Sequence, residues 1–155
     1  MPRVISGTNS LAVQHNEKPA WNCRIASYNN DTNFTSGEVI TNYSTSSNNH
    51  FVYGGCAFDS SNGLITVPVS GLYFVGVGMR YDFFGGSYFY IDIQQNGATF
   101  NRFLQADTHS YNHGNVFNVR RANAGDTFRL VATSSGDTTV GINDDSYFVG
   151  HMIDG

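Results

Sequence analysis

The sequence predicts an all-β, two-sheet antiparallel sandwich, and three observations carry that expectation. Apolar and polar residues alternate in short runs, as in Phe89/Ile91/Ile93 against Tyr90/Asp92/Gln94 and Phe128/Leu130/Ala132 against Thr127/Arg129/Val131. That is the period of strands with one buried face. Turn-forming residues punctuate the runs, and glycine alone takes 17 of the 155 positions, as expected of many short strands joined by turns. With 12 Phe and 9 Tyr the composition favours strands, and no segment sustains a 3.6-residue apolar period. No apolar run approaches the roughly 20 residues that a membrane-crossing helix requires.

Taken in order, residues 1–20 read as an extended attachment arm, with few apolar residues and Pro2, Gly7 and Pro19 interrupting any pattern. Arg3, Val4, Ile5, Leu11 and Val13 are its candidate contact residues. The domain proper is expected over 21–155, opening at Trp21. About ten strands are expected. The first lie at 23–28, 37–42 and 53–58, with a polar loop at 44–50. Then come 63–67, 72–81, 88–94 and 98–104, followed by 115–121, 127–133, 138–142 and 147–153.

The stretch from Phe58 to Val75 is the most informative. Residues 59–63 form a tight turn, because Asn62 and Gly63 tolerate positive φ. Ile65 and Val67 alternate with Thr66 as a half-buried strand. Pro68 cannot donate to a ladder, so pairing breaks or reaches a sheet edge there. Gly71 is expected to turn the chain at a φ closed to β-branched residues. Tyr73, Val75, Val77 and Met79 make the next inward row.

Phe58, Asp59, Ser60, Ser61, Gly63, Ile65, Pro68, Gly71 and Tyr73 resemble, without a gap, the signature of the C1q-like domain, which is related to the tumour necrosis factor fold. Three later segments resemble the same family in the right order. They are Ile91-Asp92-Ile93-Gln94-Gln95-Asn96-Gly97, Gly125-Asp126-Thr127-Phe128-Arg129-Leu130 and Ser146-Tyr147-Phe148-Val149-Gly150-His151-Met152-Ile153. Val75 and Val77 stand where the family usually has aromatics, Ser70 replaces a frequent Pro, and no Gly-X-Y stalk is present. The resemblance implies a C1q/TNF-like jelly roll that assembles as a threefold homotrimer with aromatic-rich contacts. On that footing Phe83, Phe84, Tyr88, Tyr90 and Tyr111 are candidates for the trimer interface or for ligand contact. Wet tyrosines also suit stacking on sugars, which makes host glycans a candidate partner.

Charge is scarce. Asp, Glu, Lys and Arg make up 13% of the chain, against about 25% in typical soluble domains, and Lys18 is the sole lysine. A net charge of −4 with dispersed arginines argues against nucleic acid, whose phosphates require clustered positive charge. The Arg120-Arg121 pair is too short for a patch. Cys23 and Cys56 either pair or stay buried as thiols, and cytosolic synthesis favours thiols.

His109 and His113 are four apart, with Asp107 nearby, but zinc needs three or four convergent ligands and a polar loop explains them better. Asn143-Asp144-Asp145-Ser146 offers hard oxygens, so Asp144 and Asp145 are weak calcium candidates; a turn explains them equally. No metal, cofactor or catalytic residue is assigned. No nucleophile elbow, zinc-hydrolase motif or phosphate loop occurs, and Gly76-Val77-Gly78 lies inside an expected strand with no helix after it.

The function expected from all this is non-enzymatic. The chain opens at Met1-Pro2-Arg3 without a recognisable secretory leader, carries an arm and has a neutral, hydrogen-bonding exterior. A trimeric accessory protein of a phage particle fits best, made in the host cytoplasm and resident in the virion. It would be a capsid decoration or cement protein, or a tail-fibre tip, with capsid or tail proteins as partners and no membrane insertion. The alternative is a secreted, extracellular C1q-like recognition module that binds glycans or a cell-surface receptor.

Overall fold

The computed structural model describes residues 18–26, 28–32, 34, 37–44, 50–84, 88–105, 109–135 and 139–154. Among these residues every regular element is a strand. In chain order they are β1 (Ala20–Arg24), β2 (Tyr28–Thr32), β3 (Glu38–Val39), β4 (His50–Tyr53), β5 (Ala57–Asp59) and β6 (Leu64–Thr66). The series continues with β7 (Gly71–Phe84), β8 (Phe89–Gln95), β9 (Ala98–Gln105), β10 (His109–Ala122), β11 (Thr127–Ser134), β12 (Thr139–Ile142) and β13 (Tyr147–Asp154).

They form two antiparallel sheets consistent with a jelly-roll sandwich. The seven-stranded sheet runs β2-β12-β7-β13-β1-β4, with β10 also on β7. The six-stranded sheet runs β5-β6-β11-β8-β9, with β3 on β11. Strand β7 organises the first sheet. Along one edge it pairs with β10 from Gly71↔Ala122 to Phe83↔His109. Its other edge is shared, β13 taking Leu72 to Gly78 and β12 taking Tyr81 to Phe84.

The expected inward rows face the core. Ile65, Val67, Tyr73, Val75 and Val77 are fully buried, with Met79 at 3% exposure. Phe89, Ile91 and Ile93 from β8 meet them, as do Phe128, Leu130 and Ala132 from β11. Trp21 sits at the centre, stacked on Phe128 at 5.7 Å and edge-on to Phe148 at 5.7 Å. Burying such side chains contributes about 1.5–3 kcal/mol each, which makes these rows the main source of stability.

Four local expectations need correction. The span 23–28 is not one strand: Ile25 N–H donates to Ser146 and Ala26 N–H to Asn42, so the ladder changes partners before β2. The span 53–58 is broken at Gly54 and Gly55, with φ of 61° and 80°, which turn the chain from β4 in one sheet to β5 in the other. Gly71 does not hold a special φ; it is the buried first residue of β7. And thirteen strands occur among the described residues where about ten were expected, because β2 carries no clear alternation and the span 53–58 divides between β4 and β5.

The turn at 59–63 forms as expected. Asp59 Oδ1 accepts from the Ser61 N–H at 2.9 Å and the Ser61 hydroxyl at 2.6 Å. Gly63 follows at φ 62°. The ladder of β6 ends at Thr66, just before Pro68, and Val67 bonds instead to the turn between β10 and β11. Cys23 and Cys56 are free thiols. Burial, with Cys56 as the lesser cause, pushes Cys23 up to about 12. Burial pushes Cys56 up to about 11. Neither carries appreciable thiolate at neutral pH.

Candidate functional site

The outer face of the seven-stranded sheet is the leading candidate. Register places Val119, Phe74, His151, Ala20 and Tyr53 in one row across five strands. The next row holds Phe117, Gly76, Val149, Asn22 and Phe51. Of the large apolar side chains that remain exposed, Tyr53, Phe117, Val119, Tyr147 and Ile153 belong to this face. Phe74 stacks on Phe117 at 5.1 Å and 17°, and His151 lies 5.2 Å from Phe74. Phe51 stacks on Tyr53 at 5.0 Å.

Two glycines make this face flat. A Cβ on Gly76 would lie 1.9 Å from a Phe117 ring carbon, and one on Gly78 would lie 2.3 Å from the Tyr147 ring. With hydrogen in those places both rings lie down over β7. The Gly76-Val77-Gly78 segment is therefore no phosphate cradle: its glycines provide the bed for an aromatic floor. Contiguous exposed aromatics on a sheet face mark interaction surfaces rather than ordinary exterior.

The β12–β13 end of this face is polar. Ser146 is buried and exchanges hydrogen bonds with the backbone of Arg80, accepting from its N–H at 3.0 Å and donating to its carbonyl at 3.1 Å. That pins the turn carrying Asp144 and Asp145. Arg24 pairs with Asp144 at 3.0 Å and its Nε donates to the Asp144 carbonyl. Arg80 pairs with Asp145 at 2.7 Å. Hollows of about 250 and 160 Å³ flank Tyr147, the first beside Asn22 and Arg24, the second beside Arg80 and His113. The two calcium candidates are thus partnered by arginines, and among the described residues no three His, Cys, Asp or Glu side chains converge.

The other named candidates fall in different places. Tyr88 and Tyr90 lie at the start of β8, on the outer side of the six-stranded sheet. Their rings are 5.7 Å apart and within 19° of parallel. Arg102 lies 3.9 Å over the Tyr90 ring and grips Asp92 with two hydrogen bonds of 2.6 and 2.9 Å. Asp92 holds the Arg102 guanidinium above its ordinary value. Phe83 and Phe84 end β7 and Tyr111 lies in β10; their side chains are outside the described residues. His113 is exposed opposite Arg80, the His109 side chain is outside the described residues, and so is Asp107. Arg3, Val4, Ile5, Leu11 and Val13 are likewise outside them. Lys18 and Pro19 do join the sheet, through Ile153 and Met152.

Residue-level reading missed Phe74, Phe117, Val119 and Tyr147. Alternation along β10 could have flagged Phe117 and Val119. Their union with Tyr147 and Tyr53 depends on strand order, which no local pattern encodes. No protein-family model matches the chain, and no curated protein matches it in sequence.

Proposed function

We propose that this chain is a non-enzymatic, homotrimeric module that packs the outer face of its seven-stranded sheet around a threefold axis and serves as a structural or binding component of a phage particle. One observation carries the trimer: Phe117, Val119 and Tyr147 stay exposed on this face across β10 and β13, with Phe117 stacked on the half-buried Phe74 of β7 between them. Such a floor is costly on a monomer and gains about 1.5–3 kcal/mol for each large side chain that a second copy covers. The C1q-like signature supports a threefold rather than a twofold arrangement. The charge-poor, hydrogen-bonding exterior supports a particle component, since a shell subunit must keep its contacts over a wide range of salt.

Light scattering on the purified protein tests the assembly. The expected native mass is about three times 17.0 kDa. Phe117→Glu with Val119→Glu is expected to give a folded monomer, because both positions are exposed and neither contributes to the core. A wild-type monomer would remove the trimer. Mass spectrometry of purified particles tests the setting: stoichiometric presence supports it, and absence overturns it.

A further inference from the structure

A histidine sits in the middle of the aromatic floor. We propose that His151 makes assembly pH-dependent: the trimer proposed above, on which this inference rests, holds while the imidazole is neutral and comes apart in mild acid as the ring takes up a proton.

Register fixes its place. His151 is the central residue of the row Val119, Phe74, His151, Ala20 and Tyr53. Its ring lies 5.2 Å from that of Phe74, tilted by 35°. The residue is exposed, so water solvates the ring in a single copy. Phe74 lies between Val119 and His151, and a second copy seated on this row covers the imidazole with the rest. Burial disfavours the charged form of any histidine. An imidazolium there would need a carboxylate to replace the water it loses.

The surroundings do not offer one. On β13 the nearest acid is Asp154, which lies past a bulge opposite Leu72 and lines a hollow of about 290 Å³ together with Arg121 of β10. Lys18, just before β1, donates from Nζ to the Ile153 carbonyl at 2.7 Å. Two cations thus stand against one carboxylate at this end of the face. On β7 the outward residues beside His151 are Leu72, Phe74 and Gly76, none of them titratable. On β4 the row ends in Tyr53, a neutral phenol, while His50 points inward. The Arg24–Asp144 and Arg80–Asp145 pairs lie two or more rows away, toward Tyr147. The Phe74 ring attracts a cation, but more weakly than the water a second copy removes. His113 differs: it shares the hollow beside Tyr147 with Asp145, so a carboxylate is at hand when it is charged.

Dissociation therefore exposes His151 and takes up protons, and falling pH favours the separate chains. Light scattering at about pH 7.5 and about pH 5, across which an ordinary histidine gains its proton, tests this, with far-UV circular dichroism at each pH to show that the sandwich stays folded. The wild type is expected to be a trimer of 17.0 kDa chains at the higher pH. At the lower pH its association should be weaker by about tenfold or more. His151→Gln should remain a trimer at both, and His113→Gln should respond as the wild type does. His151→Lys, charged throughout, should be a folded monomer already at the higher pH. Acid effects elsewhere in the fold are common to wild type and His151→Gln, so the difference between them reports His151. A wild-type trimer equally tight at both pH values, or a His151→Gln protein that dissociates in acid as the wild type does, overturns the proposal. A wild-type monomer at the higher pH removes the trimer itself, and this inference with it.

Discussion

Gly63 is held under two constraints at once. Its φ of 62° is left-handed, and a Cβ there would sit 2.2 Å from the Ile40 carbonyl oxygen. Backbone cannot swing aside as a side-chain tip can. Gly97, by contrast, has φ 81° and open space around it. Gly63→Ala is therefore expected to lose roughly 2–4 kcal/mol and Gly97→Ala only about 1 kcal/mol, read as shifts in urea midpoint at unchanged slope. Equal losses would show that φ alone matters. The turn at 59–63 was legible because Asp, Ser, Asn and Gly each act locally there. Gly71 was misread for the complementary reason: its role is to begin a strand, and nothing in its neighbours distinguishes that from a turn.

At the level of elements, alternation located the core strands well. β8 and β11 carry apolar inner rows, Phe89, Ile91 and Ile93 and then Phe128, Leu130 and Ala132, so their pattern survives in the sequence. Short edge pairings were less legible, as β4 shows. His50 and Val52 point inward from it, and the His50 ring lies 5.0 Å from Phe58. Burial lowers the His50 pKa below its ordinary 6.5. A histidine lowered in the folded state is protonated first in the unfolded chain, so its contribution is complete above about 6.5 and is lost as pH falls toward the folded value. β4 should thus loosen in mild acid. His50→Phe should flatten the fall in stability as pH drops below about 6.5, relative to wild type, measured by urea midpoints at each pH. An unchanged slope in the variant would place the acid sensitivity elsewhere.

For the whole molecule, the two sheets present unlike faces: an aromatic floor with ion pairs at one end, and a tyrosine column with a charge-matched arginine. The floor was not visible as a unit in the sequence, since it is assembled by register from strands distant in the chain. Tyr88 and Tyr90 were named in advance because they are sequence neighbours. The floor was not, because Phe74, Phe117 and Tyr147 come from three strands. If the floor is the trimer contact, the trimer rests on apolar burial, and exposed pairs such as Arg24–Asp144 contribute at most about 1 kcal/mol. The native mass should then stay the same between low and molar salt, as light scattering would show. Dissociation at high salt would instead give the ion pairs the leading role.

Strand β1 lies beside β13, with Ala20 facing His151 and the Met152 N–H bonded to the Pro19 carbonyl. The first and last described strands are therefore hydrogen-bonded neighbours within the seven-stranded sheet. A few residues of linker could join Asp154 to Lys18, and the chain could be reopened at the exposed Asn96-Gly97 hairpin without removing any ladder. Circular permutation would thus move the chain ends to the β8–β9 hairpin of the six-stranded sheet while leaving both faces as they are.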